Sequence, residues 1–272
     1  MSAPYTGAEP RGGGTWDSLV AALRSETPVA LATVISGPHV GSRVLVSEQG
    51  RMGGELPDED LDRVVLRDAV GELAAGRTGL RHYGEAGQTG EEVVTVFIES
   101  FAAPPEMLVF GAMDFTGALV RVAKVLGYRV TVCDAREVFA TRRRFPMADE
   151  VKVTWPGPVF AEHGSELGPR DAVCILTHDP KFDVPAVLGA VATRVGYIGV
   201  MGSRSTHERR LERLLDAGLA PDDVARLMSP IGLDIGARTP EETAVSICAE
   251  IIARRTGRDV PSLKDSEGPI HS

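Results

Sequence analysis

From Trp16 onward the apolar positions fall into two successive patterns. Trp16–Leu23 carries a short helical period, and Val29–Ile35 reads as a strand ended by the turn Ser36-Gly37-Pro38. A second strand follows at Arg43–Ser47, then a glycine-rich turn at Gln49–Gly54. The segment Asp58–Ala75 places Leu61, Val64, Val65, Leu66, Val70 and Leu73 on one helical face. A strand at Val93–Phe101 closes this first unit. The pattern predicts a small α+β domain over residues 15–103, ended by Ala102-Ala103-Pro104-Pro105.

Beyond Pro105 strands alternate with helices: Met107–Phe110 strand, Thr116–Leu126 helix, then strands Arg129–Cys133, Glu150–Val153 and Ala172–Leu176, helix Val184–Thr193 and strand Tyr197–Met201. These strands are short, continuous apolar runs, as expected when helices cover both faces. Residues 106–255 therefore predict an α/β fold with a Rossmann-like, mostly parallel sheet. Helices are predicted at Thr206–Ala217, Pro221–Met228 and from Pro240, the last opened by a Thr239/Glu242 capping box. Residues 1–14 and 256–272 lack an apolar period and are expected to be a disordered and a flexible tail.

Charge narrows the classes of partner. With 29 Lys and Arg against 38 Asp and Glu, the net charge is −9, which repels phosphate backbones and anionic lipid and argues against nucleic-acid or membrane binding. The N-terminal residues lack a basic segment followed by an apolar one, so a cytoplasmic protein is expected. Cys133, Cys174 and Cys248 are widely spaced in apolar sequence and read as buried free thiols. No metal site is expected from spacing, and no Ser-His-Asp order, HExxH, P-loop or EF-hand pattern occurs.

A strand, a glycine turn, a helix and a second strand ending in an acid form the layout of a dinucleotide fingerprint. Here Gly111 is followed 23 residues later by Asp134, close to the spacing that sets a carboxylate on a ribose hydroxyl. Met113, however, stands where a second glycine would let the backbone approach a pyrophosphate, and Asp114 adds negative charge at the helix N-terminus. The segment is read either as a degenerate nucleotide site or as the cap of an ordinary βαβ unit. Arg136 and Arg142-Arg143-Arg144 are candidate phosphate partners, or a solvated face.

Loops after the strands of an open parallel sheet are where ligands dock. Thr177-His178-Asp179 offers acid/base groups, metal ligands or hydrogen-bond partners for a polar ligand; equally, His178 and Asp179 would cap the next helix. Gly202-Ser203-Arg204 offers backbone N–H groups, a hydroxyl and a guanidinium, an anion cradle if Ser203 does more than cap a helix. Gly232 and Asp234 lie in a third such loop, where Asp234 also suits a turn. The remaining histidines, at 39, 82, 163, 207 and 271, are scattered singly and read as surface or structural residues.

The runs Leu108–Ala112, Arg129–Arg136, Ala172–Asp179, Tyr197–Arg204 and Pro230–Glu242 (PIGLDIGARTPEE) together resemble the XdhC/CoxI family of accessory factors for xanthine dehydrogenase and related molybdenum hydroxylases. The resemblance covers about residues 29–255. It implies a small N-terminal domain joined to a Rossmann-like one, and a homodimer. It also implies binding, protection or sulfuration of molybdenum cofactor (molybdopterin) and its delivery to an apo-hydroxylase, without catalysis by the chain itself. On this resemblance a pterin dinucleotide's phosphate meets Gly202-Ser203-Arg204, its polar ring meets Thr177-His178-Asp179, and Asp134 holds a ribose. Two departures stand out: the family's GAGHVG-like turn is Gly111-Ala-Met-Asp-Phe-Thr116 here, and Asp60 occupies roughly the place of a cysteine in a GSLSGGCVE-like stretch. The alternatives are an NAD(P)-dependent oxidoreductase, against which Met113 counts, and a non-catalytic scaffold that binds only a partner protein.

Overall fold

The computed structural model describes residues 13–84 and 93–260, and of Arg204 and Ser205 only the backbone. The chain divides into two compact units, Met1–Ala103 and Pro104–Ser272. Residues 1–12 and 261–272 of the expected tails lie outside the described residues, whereas Gly13 and Gly14 already belong to the first helix.

The first unit is a five-stranded antiparallel sheet. Its strands are β1 (Val29–Ser36), β2 (Arg43–Ser47), β3 (Gly50–Gly54), β4 (Gly79–Tyr83) and β5 (Val94–Phe101), in the order β3-β2-β1-β5-β4. Period-two alternation in β1 divides its side chains between two cores. Ala30, Ala32 and Val34 pack with Val65, Ala69 and Leu73 of helix α2 (Glu59–Ala75), while Val29 and Leu31 pack with Leu19 and Ala22 of α1 (Gly13–Arg24). Asp58 caps α2 by accepting the Leu61 amide at 2.7 Å. The segment expected to be a glycine turn is the edge strand β3, and β4 was not legible. Both are edges, mostly outside the core, so neither carries the apolar alternation that marks β1 and β5.

The second unit carries six parallel strands: β6 (Glu106–Phe110), β7 (Arg129–Cys133), β8 (Glu150–Lys152), β9 (Ala172–Ile175), β10 (Tyr197–Val200) and β11 (Leu227–Met228). Their order is β11-β10-β9-β6-β7-β8. Helices cover both faces, as the continuous apolar strands required. Met107, Val109 and Val130 face α3 (Asp114–Val125) and α7 (Pro240–Thr256); Leu108, Phe110 and Ile175 face α4 (Pro156–His163), α5 (Pro180–Val191) and α6 (Arg204–Asp216). The fold is thus α/β, with a Rossmann-type parallel sheet in one unit and a separate antiparallel sheet in the other.

Beyond shifts of one or two residues at element ends, three elements of this unit differ from expectation. Helix α5 begins at Pro180 rather than Val184, because Asp179 accepts the Lys181 amide at 3.0 Å and Pro180 suits the first helical position. Pro221–Arg226 is a 3-10 turn leading into β11, whose two residues pair with Ile198 and Gly199. Helix α4, opened by Pro156 and only eight residues long, had too short an apolar period to read.

Candidate functional site

From β6 the sheet grows first through β7 and β8 on one side and then through β9 and β10 on the other, which puts the topological switch point between Gly111 and Thr177. There the two loops touch. Gly111 has φ +112°, and a Cβ on it would stand 2.9 Å from the Thr177 methyl and 3.0 Å from the Thr177 nitrogen. The turn's donors and its acid are consumed internally. The Ala112 amide donates to Asp134 Oδ2 at 2.8 Å, and the Met113 amide donates to Thr116 Oγ1 at 3.2 Å, whose hydroxyl donates to the Gly111 carbonyl at 2.5 Å.

Asp134, 3% exposed, further accepts the Arg136 amide and Nε at 2.9 Å each and Arg136 Nη2 at 2.8 Å. Burial pushes its carboxyl up, but Arg136 and the two amides outweigh that and hold it below the usual carboxylate range. Arg136 stacks over Phe139 with its carbon 4.6 Å from the ring centre. Arg144 Nη1 donates to the Ala112 carbonyl at 2.8 Å, and its Nη2 lies 3.2 Å from exposed Asp114. Asp134 and Arg136 therefore latch the turn together, and a ribose would have to displace Arg136 to reach the carboxylate. The Ala112 and Met113 amides are likewise engaged within the turn, and Asp114 sets a negative charge where a pyrophosphate would lie.

A cleft of about 510 Å³ opens one strand further along. Its lining comes from His178 and Pro180, between β9 and the start of α5, from Gly202 and Ser203 after β10, and from Thr206, Arg209 and Arg213 of α6. A small cavity beside it is lined by His178, Asp183, Thr206 and Arg210, among others. Thr177 is buried and does not face outward; its hydroxyl donates to Asp183 Oδ1 at 2.8 Å and accepts the Asp179 amide at 3.0 Å. Asp183, 2% exposed, is held by Arg210 Nη2 at 3.2 Å. His178 is exposed at the rim. Ser203 caps α6, accepting the Thr206 amide at 3.2 Å, and its Oγ lies 2.9 Å from Thr206 Oγ1. Arg204 is the first residue of α6, and its side chain lies outside the described residues.

The structure thus brings His178, Gly202 and Ser203 together and sets Gly111, Asp134 and Arg136 in a separate, self-satisfied turn. Gly232 donates its amide to Glu250 Oε2 at 2.9 Å, an oxygen that also accepts the Tyr197 hydroxyl at 2.6 Å, and Asp234 is exposed in the same loop. Sequence alone did not single out Arg210 or Thr206 as site residues. A signal existed: Thr206, Arg210 and buried Leu214 recur every four residues, which places a guanidinium on the inward stripe of α6.

The three cysteines are free and buried, and burial pushes Cys133 and Cys248 up to about 12 and Cys174 well above its usual value. Asp60, at the family cysteine's place, lies exposed on α2 and pairs with Arg63 at 2.7 Å. Glu150, Glu162 and His163 offer atoms within 4.8 Å of one another. Lys152 takes that place, however: its ammonium bonds Glu162, His163 Nε2 at 3.1 Å and Glu150 at 3.2 Å, so a cation there would meet a cation.

A parallel sheet wound on both faces, with a cleft at its carboxyl edge, defines a Rossmann-type protein. Comparison with known proteins makes this specific. Residues 107–251 match the XdhC Rossmann domain and residues 22–84 match the XdhC and CoxI family, and the chain belongs to that family. It is 33% identical over 235 residues to a probable xanthine dehydrogenase subunit of Bacillus subtilis (strain 168), a match covering 86% of this chain and 62% of that protein. Over 102 residues it is 28% identical to the molybdenum cofactor insertion chaperone PaoD of Escherichia coli (strain K12), which covers 38% of this chain and 32% of that one. The chain thus spans less than two thirds of the length of either relative. A solved structure of a xanthine dehydrogenase from Bacillus halodurans shares the fold, with a TM-score of 0.53 at 22% identity over 92% of this chain and 97% of that one. No helix among the described residues is long and apolar enough to cross a membrane.

Proposed function

We propose that this chain is an accessory factor that holds molybdenum cofactor and hands it to a xanthine-dehydrogenase-type molybdenum hydroxylase. The observation that carries this reading is the match of residues 107–251 to the XdhC Rossmann domain, and the likeness to a chaperone named for molybdenum cofactor insertion supports it. When bound, the cofactor supplies the pterin-held molybdenum with which the recipient hydroxylase works.

The residues of the cleft fit such a ligand. A volume of about 510 Å³ is in the range of small-molecule sites, and arginines line it in a chain of charge −9. In this reading Gly202, Ser203 and the start of α6 at Arg204 receive the anionic end. His178 meets the polar ring from the rim, held there by the loop that Thr177 and Asp179 brace. The loop of Gly232 and Asp234 serves as an outer wall. Gly111, Asp114, Asp134 and Arg136 shape the neighbouring turn without touching the ligand. Sulfuration is no part of this role, because a buried thiol with a raised pKa supplies no thiolate.

The test mixes purified protein with cofactor released from a denatured molybdenum hydroxylase and follows molybdenum through gel filtration. Near-stoichiometric co-elution, with slower oxidative loss of the cofactor, is expected. Molybdenum in the protein peak no higher than in buffer would overturn the reading.

A further inference from the structure

Arg210 makes a connection that neither a helix cap nor an apolar core requires. It is 4% exposed, and its Nη2 ties the end of β10 to helix α5, donating to the Met201 carbonyl at 2.8 Å and to Asp183 Oδ2 at 3.2 Å. Its other terminal nitrogen, Nη1, is buried and has no hydrogen-bond acceptor among the described residues. Buried guanidinium N–H groups are ordinarily paired; Arg210 lines the small cavity that adjoins the cleft, with His178, Thr206 and Arg213 lining both, so the orphan marks a place where a group reaching in from the cleft supplies the acceptor.

The space next to that nitrogen is open for a specific reason. Gly202 has φ +152°, and a Cβ there would lie 3.5 Å from Arg210 Nη1 and 3.2 Å from the Thr206 methyl. Any other residue at 202 would fill this gap of about one methyl group. The hydroxyls of Ser203 and Thr206 stand beside it, 2.9 Å apart, at the N-terminus of the thirteen-residue helix α6, whose dipole favours an anion. Arg213 lines both the small cavity and the cleft, and Arg209 the cleft. Asp183 is the one carboxylate among the residues lining either cavity, and its oxygens are already engaged by Thr177 and Arg210. The local sign is positive in a chain whose total is −9.

We propose that Arg210 Nη1, with the hydroxyls of Ser203 and Thr206 and the first turn of α6, receives the phosphoryl group of a phosphate-bearing ligand. This assignment rests on the reading of the β9–β10 cleft as the ligand site and adds the group that fixes the ligand's register. Arg210 also ties the anion to the rest of the site. Through Asp183 and Thr177 it reaches the Asp179 amide, so an occupied Nη1 braces the loop that carries His178.

The test is calorimetric titration of the full chain with inorganic phosphate. Wild type is expected to bind with Kd of about 1 mM or tighter. Arg210→Lys keeps a cation on Asp183 and Met201 but has no second nitrogen, and is expected to weaken phosphate binding at least about tenfold, the loss of one charge-assisted hydrogen bond. Thr206→Val keeps the shape, loses the hydroxyl, and is expected to weaken it about threefold to tenfold; it carries the test should Arg210→Lys not fold. Arg63→Gln, exposed in the other unit, is expected to change nothing. No phosphate binding by wild type up to about 10 mM, or wild-type affinity in folded Arg210→Lys and Thr206→Val, overturns the assignment. Phosphate binding that depends on Arg210, with no uptake of molybdenum cofactor, keeps the anion subsite and removes the accessory-factor reading. Equal cofactor uptake by wild type and Arg210→Lys does the reverse.

Discussion

Asp134 is the residue whose two roles, ribose ligand or structural latch, make opposite predictions. In the structure its oxygens accept the Ala112 amide, the Arg136 amide and two Arg136 side-chain nitrogens, all between 2.8 and 2.9 Å. Asp134→Ala strands the buried Ala112 amide, at about 1–3 kcal/mol, and unpairs half-exposed Arg136, whose contact is worth at most about 1 kcal/mol. The sum is about 1–4 kcal/mol, which for a unit of this size lowers Tm by roughly 3–12 °C. Asp134→Asn keeps the shape but turns an NH2 toward one set of donors, and falls between wild type and alanine. Scanning calorimetry is the suitable assay, because the two units can melt as separate transitions and only that of Pro104–Ser272 is expected to move. Titration of wild type with NAD(H) and NADP(H) is expected to show no binding tighter than about 1 mM. A melt of Asp134→Ala within about 2 °C of wild type, or dinucleotide binding that Asp134→Asn abolishes, would refute the latch.

Three further outcomes are expected. Burial raises Glu106 to about 7 despite Arg129 at 3.4 Å, so below pH 4.5 its carboxyl is neutral in both folded and unfolded chains. Between 4.5 and about 7 only the unfolded chain releases the proton, and stability falls as pH rises, by about 1–3 kcal/mol in all. Glu106→Gln is expected to flatten that part of a urea-midpoint profile, and an unchanged slope would count against it. Thr239→Ala removes the hydroxyl that accepts the Glu242 amide at 3.2 Å and is expected to cost about 1 kcal/mol in denaturant melts. Glu250→Ala cuts the carboxylate that accepts both Gly232 N–H and Tyr197 O–H; amide exchange at Gly232 is expected to rise about tenfold while β6 is unaffected.

Much of the fold was legible because the signals were local and repeated. The strands at the centre of the parallel sheet announce themselves as short apolar runs, since both their faces are buried, and the Thr239 capping box opens a helix wherever it stands. What failed to read were elements whose order comes from partners. Strand β4 buries Tyr83 and little else, and β11 is two residues held by β10. The candidate site divided in the same way. Loops after strands were identifiable by polarity, which brought His178, Gly202 and Ser203 into view. The function of Asp134 was not, because a carboxylate at ribose spacing and one that latches its own turn have the same sequence signature; only the positions of Arg136 and the Ala112 amide separate them.

The two departures from the family pattern bear on different steps of the proposed function, and the structure treats them unequally. The altered glycine turn is compensated. Met113 stands where a pyrophosphate would need a glycine, and the Ala112 amide and carbonyl, Asp134, Arg136 and Arg144 satisfy one another across the β6 loop. The missing thiol is not compensated: Asp60 pairs with Arg63 on an exposed helix, and each cysteine present is buried with a raised pKa. Holding an anionic ligand requires positive groups around a cleft, which α6 provides with Arg209 and Arg213 along it and Arg210 in the adjoining cavity. In the proposed role this chain is therefore built to hold and release its cargo.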